Sequence, residues 1–364
     1  MGQLSANGDC VYATTVARQI KADDPTCHLT WAIGSHCRRV IDHNPHVDAV
    51  WEVPVPNRNE LREAWNGFEA EARERQRRGE FDDVYLTQIY PNNYGRYDGT
   101  VRASIFRGYP RPITVPVTPV IRLGEDEIAR TEAFAHDRGL VGGGPVVLFE
   151  CAPLSGQSFV TPPWALDVAR RILREVPNAR VVLSSGTAVE SGDPAIVDGS
   201  VLSFRENAAL TKHCSLLLGC SSGISWLCTS DAAKPIPTIQ FLSRKAGMYG
   251  AMVHDLEHWG LPSDHVSEML DCTSEAAARA AVDVLVEGVA TARFRHHEPR
   301  ELTLKPYYET MIYFLRQGEA RTVATSMMHT AARYAPRREL VTDLWSNVAG
   351  EVSRAVRKRW QRWV

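Results

Sequence analysis

Residues 1–14 read MGQLSANGDCVYAT, and the fold turns on how this stretch is taken. Two glycines, a serine and an asparagine make a tight turn that delivers one acid, Asp9, to the start of a helix expected over residues 11–22. An Asp just before a helix is the ordinary N-cap signal, so the turn alone reads either as a cap or as a carboxylate held out for chemistry. The following segments decide the class. HLTWAI (28–33) reads as a strand, residues 37–43 as helix and VDAVWEV (47–53) as a strand. Residues 61–78 read as a long charged helix and VYLTQIY (84–90) as a strand. This alternation predicts a parallel sheet with helices on both faces.

VPVTPVIRLGED (115–126), with Pro116 and Pro119, reads as a connector, since proline disfavours both helix and ladder. The alternation then restarts. PVVLFECAP is a buried strand, residues 163–175 a helix, and ARVVLSSG a strand. Residues 208–213 are helical, SLLLGCSSG is a strand entering a turn, and PIPTIQFL is another strand. Residues 274–289 form an alanine-rich helix, and from Tyr307 the chain is nearly all helix. The expected organisation is an α/β protein of two Rossmann-like domains, 1–120 and 121–300, with helices over 301–364 packing back toward the first. Parallel sheets bind ligands at the carboxyl ends of their strands, so the cleft between the two is the expected site.

Composition narrows the function. At 364 residues the chain is too long for one ordinary core. A net charge of −2 gives no pull toward nucleic acid. The first residues are polar, with Asp9 where a signal peptide would be apolar, and no apolar run approaches the ~18–20 residues that span a bilayer. The eight cysteines include no C-x-x-C pair, and a reducing cytoplasmic location is expected. HDLEH (254–258) fits the reversed H-x-x-E-H zinc pattern but runs into WGLP without an evident third ligand, so no metal is expected. GQLSANG is not G-x-G-x-x-G, so no nicotinamide cofactor is expected either.

Gly8-Asp9, Ala13-Thr14-Thr15 and Asn44-Pro45-His46-Val47-Asp48 resemble, in order and spacing, the start of glycosyltransferase family nine, the ADP-heptose:lipopolysaccharide heptosyltransferases. LTKHCSLLLGCSSGISWLCTSDAAKPIPTIQFL resembles that family's donor-holding segment more loosely. The resemblance spans roughly residues 2–55 and 145–242. It implies a GT-B fold of two Rossmann-like domains, with the nucleoside-diphosphate sugar on the second and the acceptor, a glycan or a lipid-linked saccharide, on the first. It implies inverting transfer without a metal ion or other cofactor, and it places the catalytic base at Asp9, with Asn7 beside the acceptor. The family has an apolar strand before this turn, whereas only Met1–Leu4 precede it here. Either residues are missing upstream or the strand is unusually short.

The departures matter as much. The family's donor turn reads Asp-Ser-Gly-x-x-His, whereas here Ser221-Ser222-Gly223-Ile224-Ser225-Trp226 puts a neutral hydroxyl where a carboxylate would meet sugar hydroxyls, and a Trp in place of His. ADP-heptose is therefore not the expected donor. The family's Lys ahead of Trp-Pro is matched by Gln157 or Ser158 in LSGQSFVTPPW, so Arg244 and Lys245 are the candidate cations for a diphosphate, or else a solvated loop. Ser185-Gly186 is a nucleotide-contacting turn or an ordinary strand end. In PNNYGRYDG (91–99), Asn92, Asn93, Tyr94 and Arg96 offer stacking and forked donors to an acceptor sugar or phosphate, the alternative being a polar loop. Two other functions keep the fold: a nucleotide-sugar 2-epimerase, and a degenerate GT-B protein that binds a glycan or partner without catalysis.

At the chain end, Leu340, Leu344, Val348, Val352, Val356 and Trp360 recur every four residues, a helical stripe. Arg354, Arg357, Lys358, Arg359 and Arg362 crowd the last turns beside Trp360 and Trp363. This reads as a docked helix with a solvated basic end, or as a peripheral contact with the anionic inner face of a membrane.

Overall fold

Met1–Leu4 forms the middle of the first sheet. In the computed structural model, which describes residues 1–245, 251–300 and 302–360, these four residues lie between residues 30–34 and 85–87. On one side Gln3 N–H donates to Ala32 at 3.1 Å and Gly34 N–H to Leu4 at 3.0 Å. On the other, Gly2 N–H donates to Tyr85 at 2.8 Å and Thr87 N–H to Gly2 at 3.0 Å. The short segment thus does the work of a central strand. The expected strand over 84–90 is reduced to this pairing around Leu86.

The elements of the first half are α1 (Asn7–Asp23), β1 (Thr30–Gly34), β2 (Ala49–Val53), α2 (Leu61–Arg77), α3 (Val101–Phe106) and α4 (Glu125–Asp137). The second half adds β3 (Val146–Glu150), α5 (Pro162–Glu175), β4 (Arg180–Ser184), β5 (Ile196–Asp198), α6 (Glu206–Leu210), β6 (Leu216–Gly219) and α7 (Gly223–Leu227). It continues with β7 (Thr238–Leu242), α8 (Met252–His258), β8 (Val266–Leu270), α9 (Ser274–Glu287) and α10 (Val289–His296). Three helices end the described chain: α11 (Lys305–Arg316), α12 (Ala320–Tyr334) and α13 (Arg338–Trp360).

The second sheet has six parallel strands in the order β5-β4-β3-β6-β7-β8. That is the doubly wound order, with its reversal between β3 and β6. Every residue of β3, β6, β7 and β8 is buried, as strands covered by helices on both faces require. β5, β8, α4 and α8 were not legible in the sequence. β5 is three residues long, and β8 carries Ser267 and Glu268 inside its run.

The two halves share one core. Tyr12 and Val16 of α1, Trp226 of α7, Met252 and Leu256 of α8, and Tyr307, Met311 and Phe314 of α11 belong to one cluster of buried side chains. Leu344 and Val348 of α13 join it, so that part of the C-terminal stripe is docked. The side chains of Val352, Val356, Lys358, Arg359 and Trp360, and all of residues 361–364, lie outside the described residues.

Candidate functional site

Helix α1 begins at Asn7, four residues earlier than the sequence suggested, and this changes the status of Asp9. The N-cap is Ala6, which offers no side-chain cap, and Asp9 is the third helical residue. Asp9 is therefore not the cap. It is half-buried, and its carboxylate has no hydrogen-bond partner among the described residues. Burial holds its pKa far above the usual carboxylate range, at about 7, and the nearby Cys37 pushes it the same way. Cys37 is itself drawn down to about 6, chiefly by a hydrogen bond from Cys10 and further by His36. The first-turn amides of α1 also favour the anion. Asp9 is thus an unengaged carboxylate poised near neutrality, the condition a general base requires. Nothing in the sequence pointed to Cys10 and Cys37 as its neighbours.

Across the cleft lies the turn from β6 into α7. Ser221 adopts a left-handed conformation, φ 49°, which an L residue holds only under constraint. The constraint is visible: its N–H donates to Gln240 Oε1 at 2.7 Å and its hydroxyl to Gln157 Oε1 at 3.4 Å. Gln157 and Ser221, 64 residues apart, are therefore brought together. The turn also touches α1 directly. A Cβ on Gly8 would lie 3.6 Å from the Gly223 Cα, and one on Gly223 would lie 3.4 Å from Asn7 Cβ and 3.0 Å from Phe204. Gly223 is needed for this close approach, which sets the start of α1 against the turn at Ser221–Gly223.

Glu150, at the end of central strand β3, is the residue that the sequence reading missed. Its carboxylate is buried and accepts the amides of Cys220 and Ile224, each at 3.0 Å, and the Ser225 hydroxyl at 2.6 Å. Burial raises its pKa, and these three donors oppose the shift. Ser225, expected among the donor-binding residues, is instead enclosed beneath the turn as Glu150's partner. The amides of Ser222 and Gly223 make no backbone hydrogen bond among the described residues. A charged residue closing the apolar run VVLFE was the available signal.

The other expected positions divide. Ser158 accepts Val160 N–H at 3.3 Å within the loop after β3, and the Ser185-Gly186 turn is closed by a bond from the Ser185 hydroxyl to Thr187. Arg244 is exposed and ion-paired with Glu298, while Lys245 is exposed. Arg244 is therefore not a free cation awaiting a diphosphate.

The PNNYGRYDG turn is largely occupied by its own domain. Arg96 donates to the Leu86 carbonyl, Asn93 to Gln88 O at 2.8 Å, and Asn92 to Asn66 Oδ1 at 3.0 Å. Tyr94 packs on Phe314, ring centroids 4.7 Å apart, and Tyr97 on Tyr307 at 5.8 Å. Ser326 of α12 donates to Tyr97 O at 2.5 Å. Tyr94, Tyr97 and Ser326 dock the C-terminal helices, while the side chains of Asn92, Asn93 and Arg96 bond within the first half of the chain, Asn92 remaining exposed.

His254 and His258, the zinc-like pair, sit on α8 beside Arg333, His254 half-buried and His258 exposed with its Nε2 3.0 Å from Arg333, and partial desolvation together with the nearby cation lowers both imidazoles to about 4. Among the described residues no group of three His, Cys, Asp or Glu side chains could hold a metal ion. No helix among them is long and apolar enough to cross a membrane.

No family model and no curated protein matches this sequence. Solved structures do. A glycosyltransferase of family nine from Veillonella parvula is 15% identical over 77% of this chain and 87% of its own, with a TM-score of 0.54. The ADP-heptose lipopolysaccharide heptosyltransferase II of E. coli is 13% identical over 79% of this chain and 98% of its own, with a TM-score of 0.47. A protein described as a UDP-N-acetylglucosamine 2-epimerase from Listeria monocytogenes is 11% identical over 88% and 96%, with a TM-score of 0.45. The first of these carries the likeness: the chain has a glycosyltransferase-like GT-B fold and resembles family nine in architecture.

Proposed function

We propose that this protein is an inverting, metal-independent glycosyltransferase that moves a sugar from a nucleoside-diphosphate sugar to a saccharide acceptor. The observation that carries the reading is Asp9, a half-buried carboxylate with no hydrogen-bond partner among the described residues, one position from Gly8, which packs against Gly223. In this mechanism Asp9 takes the proton of the acceptor hydroxyl as that oxygen bonds to the anomeric carbon. The bond from that carbon to the diphosphate breaks on the opposite face, and the nucleotide leaves with the electron pair. The Ser222 and Gly223 amides hold the departing phosphate, with Gln157, Ser158, Ser185 and Gly186 around the rest of the donor and Asn7 beside the acceptor.

The replacement of Asp and His by Ser221 and Trp226 argues for a donor other than ADP-heptose. A lipid-linked acceptor would suit a basic C-terminal end resting on an anionic inner membrane face, with the protein in the cytoplasm.

The test is release of nucleoside diphosphate from a panel of nucleotide sugars, read together with calorimetry against the free nucleotides. The proposal expects binding of at least one nucleoside diphosphate and turnover of its sugar. A second reading, a GT-B protein that binds without catalysis, is favoured by one specific observation. The Arg244 charge is neutralised by Glu298, and the Glu150 carboxylate lies under the phosphate turn. Failure of every nucleoside diphosphate to bind would establish that second reading.

A further inference from the structure

Two buried arginines tie the halves of the molecule together, and they do so in different ways. Arg205, between β5 and α6, has its fork fully engaged. It donates to the Arg39 and Asp42 carbonyls of the first domain at 3.1 and 2.6 Å, and to both oxygens of Glu127 on α4 at 2.9 and 2.7 Å. Directional bonds of this kind fix one side of the boundary, next to the connector.

Arg102 of α3 stands on the side of the boundary where α1 meets α7, and its side chain is 1% exposed. Its guanidinium lies 4.5 Å from the ring of Tyr12 on α1 and 5.7 Å from the ring of Trp226 on α7. The two rings are themselves 5.0 Å apart. Among the described residues its one ionic contact is Asp255 of α8, at 3.1 Å, and none of its nitrogens makes a well-directed hydrogen bond. The cation is thus held by two ring faces and one carboxylate, three elements from both sides of the cleft.

Tyr12 is one helical turn beyond Asp9, and Trp226 is one turn beyond Gly223. Whatever sets Tyr12 against Trp226 sets the base against the donor turn. We infer that Arg102 is a positioning residue, a flat cation packed against both rings of the Tyr12–Trp226 contact, which holds the Asp9 helix in register with the turn at Gly223. The inference rests on the transferase reading for its kinetic consequence, though not for its structural one. It also gives a role to the Trp that stands where the family has His: Trp226 is 6% exposed and belongs to the boundary between the halves rather than to the sugar pocket.

A planar guanidinium can stack on both rings at once, whereas an ammonium cannot. The test compares Arg102→Lys and Arg102→Met with the wild-type full chain. Small-angle scattering should show both variants with a larger radius of gyration. Calorimetry should give nucleoside-diphosphate affinity within about twofold of wild type, because the donor turn is intact. Turnover should fall ~10–100-fold, since a misplacement of about 1 Å in a catalytic geometry costs about that much.

Unchanged scattering in both variants would overturn the inference, as would turnover within twofold of wild type. A fall in turnover that merely tracks the folded fraction or the nucleotide affinity would overturn it as well, leaving Arg102 a packing residue. If the wild type transfers nothing yet the variants open, the positioning role stands and the transferase reading fails.

Discussion

Replacing Asp9 by Asn separates the chemistry of this carboxylate from its structural cost. The folded protein raises the Asp9 pKa from 3.8 to about 7, burial being the first cause. A carboxyl that binds its proton more tightly when folded favours folding fully below the unfolded value. That advantage is lost as pH rises from about 4 to about 7. Three units correspond to about 4 kcal/mol, and partial access to water halves this to about 2 kcal/mol. Activity moves the other way, because a base must be deprotonated: kcat/KM should rise through an inflection near pH 7.

Asp9→Asn should abolish both trends. At pH 8 its melting temperature should exceed that of the wild type by roughly 2–3 °C, and near pH 4 the two should coincide. Turnover of the Asn variant should fall ~10²–10⁴-fold at pH 8. The assays are calorimetric melts at several pH values and nucleotide release on the same preparations. A variant that turns over like the wild type would refute the base, and one that melts below the wild type at pH 8 would refute the argument from burial.

The remaining predictions bear on the surroundings. Cys37→Ser removes a group that raises the Asp9 pKa, so the inflection in kcat/KM should move to lower pH; an upward move would contradict the proximity argument. Glu150→Ala strands two amides and a hydroxyl beneath the turn and should destabilise the protein by about 3–5 kcal/mol in denaturant titration; a cost below about 1 kcal/mol would show that the network carries little. Full-length protein should bind anionic liposomes at low salt and lose binding on truncation after Val352; if both forms ignore such vesicles, the C-terminal helix is simply docked.

The alternation of strand and helix was enough to read the second sheet, because β3, β6 and β7 are unbroken apolar runs flanked by turns. β8 escaped because Ser267 and Glu268 interrupt its pattern, and both are buried by packing that only the tertiary fold supplies. Glu268, for instance, accepts the Val253 amide at 2.9 Å. Asp9 was legible from its turn, yet its role as third helical residue was not, since Ala6 carries none of the usual capping chemistry. Glu150 and Arg102 were invisible as site residues for a related reason. Each acts through groups 70 or more positions away, Glu150 on Cys220 and Ile224, Arg102 on Tyr12 and Trp226. The polar turn at 91–99 misled in the opposite sense, because its amides and guanidinium look ligand-ready in sequence but serve packing in the fold.

A crystal structure with a nucleoside diphosphate bound tests the central claim most directly. The account predicts the terminal phosphate on the Ser222 and Gly223 amides, with the Asp9 carboxylate facing the anomeric position from the side opposite that phosphate. A nucleotide seated away from this turn, or an Asp9 carboxylate on the same side as the leaving phosphate, would contradict it.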